Sequence, residues 1–300
     1  MEPYKFQNIY LISTYRCNWD CEFCLFKYNK EKEASIDKIC DQLEYSINDS
    51  KKPVYLKITG GEPFIKWNLL MKVFKLCEGY KNKIYKIGIG TNGSIVFPAY
   101  FNFVKIKTNI FLSRHGFPDN LPSGYSLKQN SPLNDHIQLR INCNLIKHNI
   151  KNRVDSLVDS LRKMKLHMMY HWGKSHIDHF TFRELNNITL DKNSMYPKHV
   201  YAYKEYYNKH LIPISKIEEE IAKDPDFELS RVTGNYYDTN HWYWWRIFGT
   251  STKISVKLRA INEQKLIEYN QQNKGIDEYV IHPDGTLTGC WDKDLKQIRR

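Results

Sequence analysis

The chain of 300 residues reads as an α/β protein: a partial (β/α)6 TIM-like barrel with an irregular C-terminal extension ending in a β-hairpin. Three observations predict this. Short β-branched or aromatic runs alternate with helix-spaced segments through the first 185 residues. Beyond that point the rhythm stops. The tail then returns to strand grammar around a Pro-Asp-Gly turn.

Strands are expected over residues 8–13, 55–59, 85–90, 109–112, 138–142 and 178–183. Helical spacing fills residues 35–48, with Ile36, Ile39, Leu43 and Ile47 on one stripe, and residues 68–78. It recurs over 153–164, with Val154, Leu157, Val158 and Leu161. Such alternation implies a parallel sheet built from right-handed crossovers, with ligands gathered at the C-terminal ends of the strands. Residues 186–253 read as polar, aromatic and irregular, with a helix over 215–223 and the run Trp242-Tyr243-Trp244-Trp245. That run either stacks on a base or sugar or packs as core. The tail predicts strands over 278–282 and 286–290, joined at Pro283-Asp284-Gly285. The division expected is a core domain, 1–185, and an extension, 186–300, that covers the barrel and contacts substrate.

A hydrophobic fraction of 41% with 14 Phe, 7 Trp and 21 Tyr excludes a disordered chain. No apolar run approaches the roughly 20 residues of a membrane span, and the N-terminus lacks a secretory pattern. A cytoplasmic protein without a membrane partner is expected. Seven cysteines, three of them between Cys17 and Cys24, suit metal-bound thiolates in a reducing compartment better than a disulfide framework. The net charge of +12 fits either an acidic partner or a merely solvated basic surface.

Cys17, Cys21 and Cys24 stand at C-x3-C-x2-C spacing directly after the first expected strand. A short loop can turn three thiols toward one point, where a helix or strand would splay them. Three thiolates hold three irons of a cubane and leave the fourth open, whereas electron carriers supply a fourth ligand. A zinc site is the alternative, but zinc favours two separated Cys/His pairs, and no second pair lies near. This motif, with aromatic Phe23 before its last cysteine, resembles the signature of radical S-adenosylmethionine (radical SAM) enzymes. The resemblance implies an enzyme with one [4Fe-4S] cluster on Cys17, Cys21 and Cys24. The open iron would chelate S-adenosylmethionine, and one-electron cleavage would give a 5′-deoxyadenosyl radical that abstracts hydrogen from substrate. A reductant such as flavodoxin or ferredoxin would supply the electron.

Cofactor contacts are expected at Phe23 and at Gly60, Gly61, Glu62 and Pro63, which end the second strand. The glycines permit close approach of the backbone to a ligand, and Glu62 offers an acceptor for an ammonium group. A GGEP segment here is similar to the one that holds the methionine amino group in the family. Thr91 and Asn92 resemble its TNG segment, and Ser113 resembles the serine that contacts ribose or carboxylate. Arg140 and Asn142 alternate onto one face of the fifth strand, where Arg140 needs a partner such as a carboxylate.

For the substrate side the candidates are His115, Cys143 and Cys290; either thiol could return a hydrogen atom, or simply be core. With Cys290 the only cysteine beyond Cys143, no auxiliary cluster is expected. The substrate expected is a nucleotide, nucleoside or nucleic acid, from the charge and the Trp run. The alternative is a peptide or amino-acid-derived substrate undergoing epimerisation or crosslinking. A non-catalytic iron–sulfur binding or electron-transfer module is the remaining class.

Overall fold

The computed structural model describes residues 6–21, 23–24, 26, 31–95, 105–113, 136–144, 177–183, 205–206, 208–225, 227–233, 243–250, 255–261, 278–289, 291 and 297–299. The first strand, β1 (Gln7–Ile12), leads into the cysteine loop. Helix α1 (Ile36–Asp49) follows, and its start is set by Ser35, whose side chain accepts the Lys38 N–H at 3.2 Å. Asp37 in the first turn complements the exposed N–H groups and the helix dipole. The expected apolar stripe forms: Ile39, Leu43 and Ile47 are buried on one face.

Strand β2 (Val54–Thr59) alternates buried and half-buried residues along its whole length. A 3-10 turn, Pro63–Lys66, carries the chain into helix α2 (Trp67–Gly79), which buries Leu69, Leu70, Val73, Phe74 and Cys77. Each large apolar side chain so buried contributes roughly 1.5–3 kcal/mol. Strands β3 (Ile84–Thr91), β4 (Thr108–Ser113), β5 (Ile137–Asn144) and β6 (Ile177–Arg183) complete the predicted set. The helix expected over 153–164 lies outside the described residues.

Sequence reading failed over residues 186–253. Helix α3 (Ile214–Ala222) matches expectation. Two strands there were unforeseen, β7 (Phe227–Thr233) and β8 (Tyr243–Thr250), and a third, β9 (Ser255–Ile261), follows them. The three form an antiparallel meander. Tyr243, Trp244 and Trp245 are ladder residues of β8, while Trp242 lies outside the described residues. The aromatic run looked irregular because it has no apolar/polar alternation; its β-branched and aromatic bias was the signal available.

The tail forms β10 (Glu278–Ile281), β11 (Leu287–Thr288) and β12 (Gln297–Arg299). The expected hairpin forms, with Val280 opposite Thr288 and Ile281 opposite Leu287. Its turn is fastened to α1, because Gln42 Nε2 donates to the Gly285 carbonyl at 3.0 Å.

Sheet order is β12-β11-β10-β1-β2-β3-β4-β5-β6-β9-β8-β7. The strands from β10 through β9 run parallel to their neighbours, and antiparallel pairs flank them on both sides. The sheet curls as a partial barrel and does not close into a ring. Residues of the extension therefore join both edges of the six-strand core, through β9 and through β10.

Alternation divides the two faces. Ile9, Leu11, Leu56, Ile58, Ile87 and Ile110 pack in one cluster with Leu43, Ile47, Val73 and Phe74 of the helices. The other face is the inner one. There a single register row runs Tyr10, Lys57, Gly88, Asn109, Gln138 from β1 to β5. A second row runs Ser113, Asn142, Thr181, Lys257 from β4 to β9.

Candidate functional site

The C-terminal ends of β1, β2 and β3 meet. Ser13 N–H donates to the Thr59 carbonyl at 2.8 Å, Gly61 N–H to Thr14 at 2.7 Å and Glu62 N–H to Arg16 at 2.9 Å. The loop after β2 thus lies directly against the loop that carries the cysteines. Gly60 has φ +132°, and a Cβ there would stand 2.4 Å from the Thr14 carbonyl oxygen. A Cβ on Gly61 would stand 2.0 Å from the Arg16 carbonyl oxygen. The close approach that the glycines permit is to this neighbouring backbone.

Glu62 is wholly buried. Its Oε1 accepts the Thr91 hydroxyl at 2.8 Å and the Phe64 N–H at 3.1 Å, and its Oε2 accepts the Asn92 N–H at 2.8 Å. Of about four acceptor positions on a carboxylate, one on Oε2 is left. Burial pushes its pKa above the ordinary value, against the pull of those donors. Pro63 opens the 3-10 turn at a position where its missing N–H costs nothing.

Thr91 and Asn92 are both buried. The Asn92 Nδ2 donates to Asn18 Oδ1 at 2.9 Å and lies 3.7 Å from Cys17 Sγ. Its Oδ1 accepts the Ser94 N–H at 2.8 Å, and Asn18 Nδ2 donates to Ser94 Oγ at 2.7 Å. The β3 loop therefore grips the first cysteine.

A second grip comes from Glu33. The Thr14 hydroxyl donates to it, Lys66 is ion-paired with it, and Arg16 approaches it at 3.5 Å. Burial alone would raise the Glu33 pKa, but hydrogen bonds from Lys66 and Thr14 and the charges of Lys66 and Arg16 hold it below the ordinary value. Thr14, Asn18, Glu33 and Ser94 were missed in the sequence. Asn18 and Ser94 adjoin recognised motifs, while nothing local marks Glu33.

Within the loop Cys17 is exposed, and Cys21 and Cys24 are half-buried. Cys24 N–H donates to the Cys21 carbonyl at 3.0 Å, a tight turn, and Trp19 N–H lies 3.4 Å from Cys17 Sγ. Among the described residues no three His, Cys, Asp or Glu side chains converge as ligands of a single metal ion would. A cubane asks something different, one thiolate per iron. Three accessible thiols on one short loop, with N–H donors aimed at the first, fit that donor set. Phe23 packs against Tyr206 with ring centroids 6.4 Å apart, so the extension touches this loop.

Of the remaining expected residues, Ser113 and Asn142 pair in register on the inner face, and Arg140 pairs with Phe111. Cys143 stands on β5 opposite Phe182. His115 and Cys290 lie outside the described residues. Cys77 is a core residue whose thiol burial pushes up to about 12. No helix among the described residues is long and apolar enough to cross a membrane.

A family model described as the radical SAM superfamily matches residues 11–105, which span the cysteine loop, the Glu62 turn and the Asn92 turn. The chain is thus similar to the radical SAM superfamily over about a third of its length. A [4Fe-4S] cluster and S-adenosylmethionine are the cofactors of that family. The chain is 34% identical over 89 residues to 7-carboxy-7-deazaguanine synthase of Haemophilus influenzae, covering 30% of this chain and 38% of that protein. It is 26% identical over 91 residues to an uncharacterized protein of Methanocaldococcus jannaschii, covering 30% of this chain and 32% of that one. The match thus spans about a third of either relative.

Among solved structures, native anSMEcpe with bound AdoMet superposes with a TM-score of 0.56 at 13% identity, covering 98% of this chain and 77% of that one. Streptococcus suis SuiB bound to precursor peptide SuiA gives 0.55 at 14% identity, covering 99% and 62%. These likenesses concern the fold.

Proposed function

We propose that this chain is an enzyme that uses its cluster and S-adenosylmethionine to abstract a hydrogen atom from a nucleotide, nucleoside or nucleic-acid substrate, the anionic members of that class being favoured. What supports the reaction is the three-thiol loop after β1, whose Cys17 lies by Asn92, with Glu62 at the end of β2 bonded to that same Asn92. When bound, the two cofactors supply one-electron cleavage of the sulfonium, and the fragment so formed takes the substrate hydrogen.

The protein's own part is binding, orientation and exclusion of water. Cys17, Cys21 and Cys24 would hold the cluster. Asn92 and Trp19 N–H groups would offset the charge on Cys17. The acceptor position remaining on Glu62 Oε2 suits an ammonium group at the edge of the Gly61 turn. Ser113, Arg140 and Asn142 line the inner face across from it, and Arg140 suits a carboxylate. Solvent exclusion strengthens each of these polar contacts. The inner face of β1 to β5 carries Lys57, Lys86 and Arg140 and no Asp or Glu, which supports an anionic substrate. A peptide substrate is the second reading, supported by the precursor peptide in the SuiB structure; an acidic segment would suit the same face. The electron would come from a one-electron reductant protein such as flavodoxin or ferredoxin.

Anaerobic reconstitution followed by reduction in the presence of S-adenosylmethionine is the test. Four irons per chain and release of 5′-deoxyadenosine are expected, with both lost in C21A. Wild-type protein that takes up iron but releases no 5′-deoxyadenosine would reduce the chain to a binding or electron-transfer module.

A further inference from the structure

Lys86 lies on β3 and is 8% exposed. A lysine this buried normally has a carboxylate or several acceptors around it. Lys86 has neither among the described residues. Its ammonium stands 5.8 Å from the centre of the Tyr55 ring, and its electrostatic neighbours, Arg140 and Lys107, are themselves cations. Loss of hydration and those two like charges lower its pKa to about 8. Glu278, an acidic position on the inner face of β10, is three strands away by register, through Asn8 and Tyr55.

An acceptor on the same face is also unsatisfied among the described residues: Asn109 is 1% exposed, and its Oδ1 has no partner there. Among the described residues this is a buried cation without a counter-charge, on the same face as a buried amide oxygen without a donor, a costly arrangement for a finished core. It is the expected arrangement for a site completed by a ligand.

We propose that Lys86 and Arg140, with Asn109, receive the anionic end of a small-molecule substrate: a phosphate or carboxylate whose carrier also offers a hydrogen-bond donor. The proposal rests on the reaction proposed above and adds where and how the substrate is held. Lys86 stands five residues before Thr91, about 16 Å down the strand at 3.3 Å per residue. The anion is therefore the end of the substrate remote from the reacting carbon. Binding energy collected there positions the carbon without obstructing it.

The test is calorimetric titration of cluster-loaded, unreduced protein with inorganic phosphate, adenosine monophosphate and succinate. Saturable one-to-one binding is expected for at least one, and the tighter of adenosine monophosphate and succinate tells a phosphate ester from a carboxylate. K86M should weaken that binding at least about tenfold, and K86R, which keeps the charge, should bind nearly as wild type does. No saturable binding of any of the three would overturn the proposal. So would equal binding by K86M, or an affinity for S-adenosylmethionine that falls in step with that for the anion, which would make the cofactor the ligand. Because no reductant is present, anion binding can fail while 5′-deoxyadenosine still forms, and the reverse.

Discussion

Glu62 accepts the Asn92 N–H at 2.8 Å, and this one bond joins the end of β2 to the turn that touches Cys17. The carboxylate also takes the Thr91 hydroxyl and caps the turn at Pro63. In E62A three buried donors lose their acceptor, each worth about 1–3 kcal/mol. Urea denaturation should show a loss of about 3 kcal/mol or more. E62Q, which keeps an acceptor oxygen, should lose less. An E62A protein as stable as wild type would mean that the brace carries no weight.

The glycines allow a paired prediction. In G61A the new methyl would lie 2.0 Å from a backbone oxygen of Arg16, so the cysteine loop itself must move. Lower stability and reduced iron uptake are expected together. A Cβ at Gly79 meets nothing within 4 Å. G79A should stay within about 0.5 kcal/mol of wild type, with full iron uptake.

Asn92 reaches Cys17 Sγ with a long N–H contact at 3.7 Å. Hydrogen bonds to cluster sulfurs raise the reduction potential. A bond worth about 1 kcal/mol corresponds to about 40 mV for one electron. A redox titration followed by electron paramagnetic resonance should place N92A lower by a shift of that order. An unchanged potential would reduce Asn92 to a loop fastener.

Lys86 makes stability depend on pH. Its folded pKa, about 8, lies below the ordinary 10.5. Between those values the unfolded chain binds more protons than the folded one, so stability rises with pH through that window. The separation amounts to about 3 kcal/mol. Among the described residues the groups facing Lys86 are the Tyr55 ring of β2 and two cations, Lys107 just before β4 and Arg140 of β5, and none of them supplies a counter-charge. K86M should therefore be the more stable protein near neutrality. The gap should close above the ordinary lysine pKa. A gap that stays constant with pH would contradict an unpaired ammonium.

Much of the fold was legible because its elements are local. The stripe of Ile39, Leu43 and Ile47 and the cap at Ser35 lie within one helix, and the alternation in β2 lies within one strand. The Lys86 site was not legible: in Lys86-Ile87-Gly88-Ile89-Gly90 the lysine and glycines share one face and the isoleucines the other, as in any half-buried strand. What no spacing could show is that the lysine lacks a partner, since that depends on every strand facing it. Strand β8 was missed for a related reason. A run of aromatics has no period to read, and pairing with β7 and β9 gives it its form.

The amino-acid order alone determined the alternation of strands and helices, the three thiols on one loop and the family to which they point, because each is written in neighbouring residues. Tertiary structure decided that Gly60 and Gly61 serve the cysteine loop, that Glu62 braces Asn92, and that Lys86 is buried among cations. Those relationships join residues that are 29 to 75 positions apart in the clearest cases, Glu62 with Thr91 and Cys17 with Asn92. Only the packing of parallel strands side by side brings such residues within bonding distance.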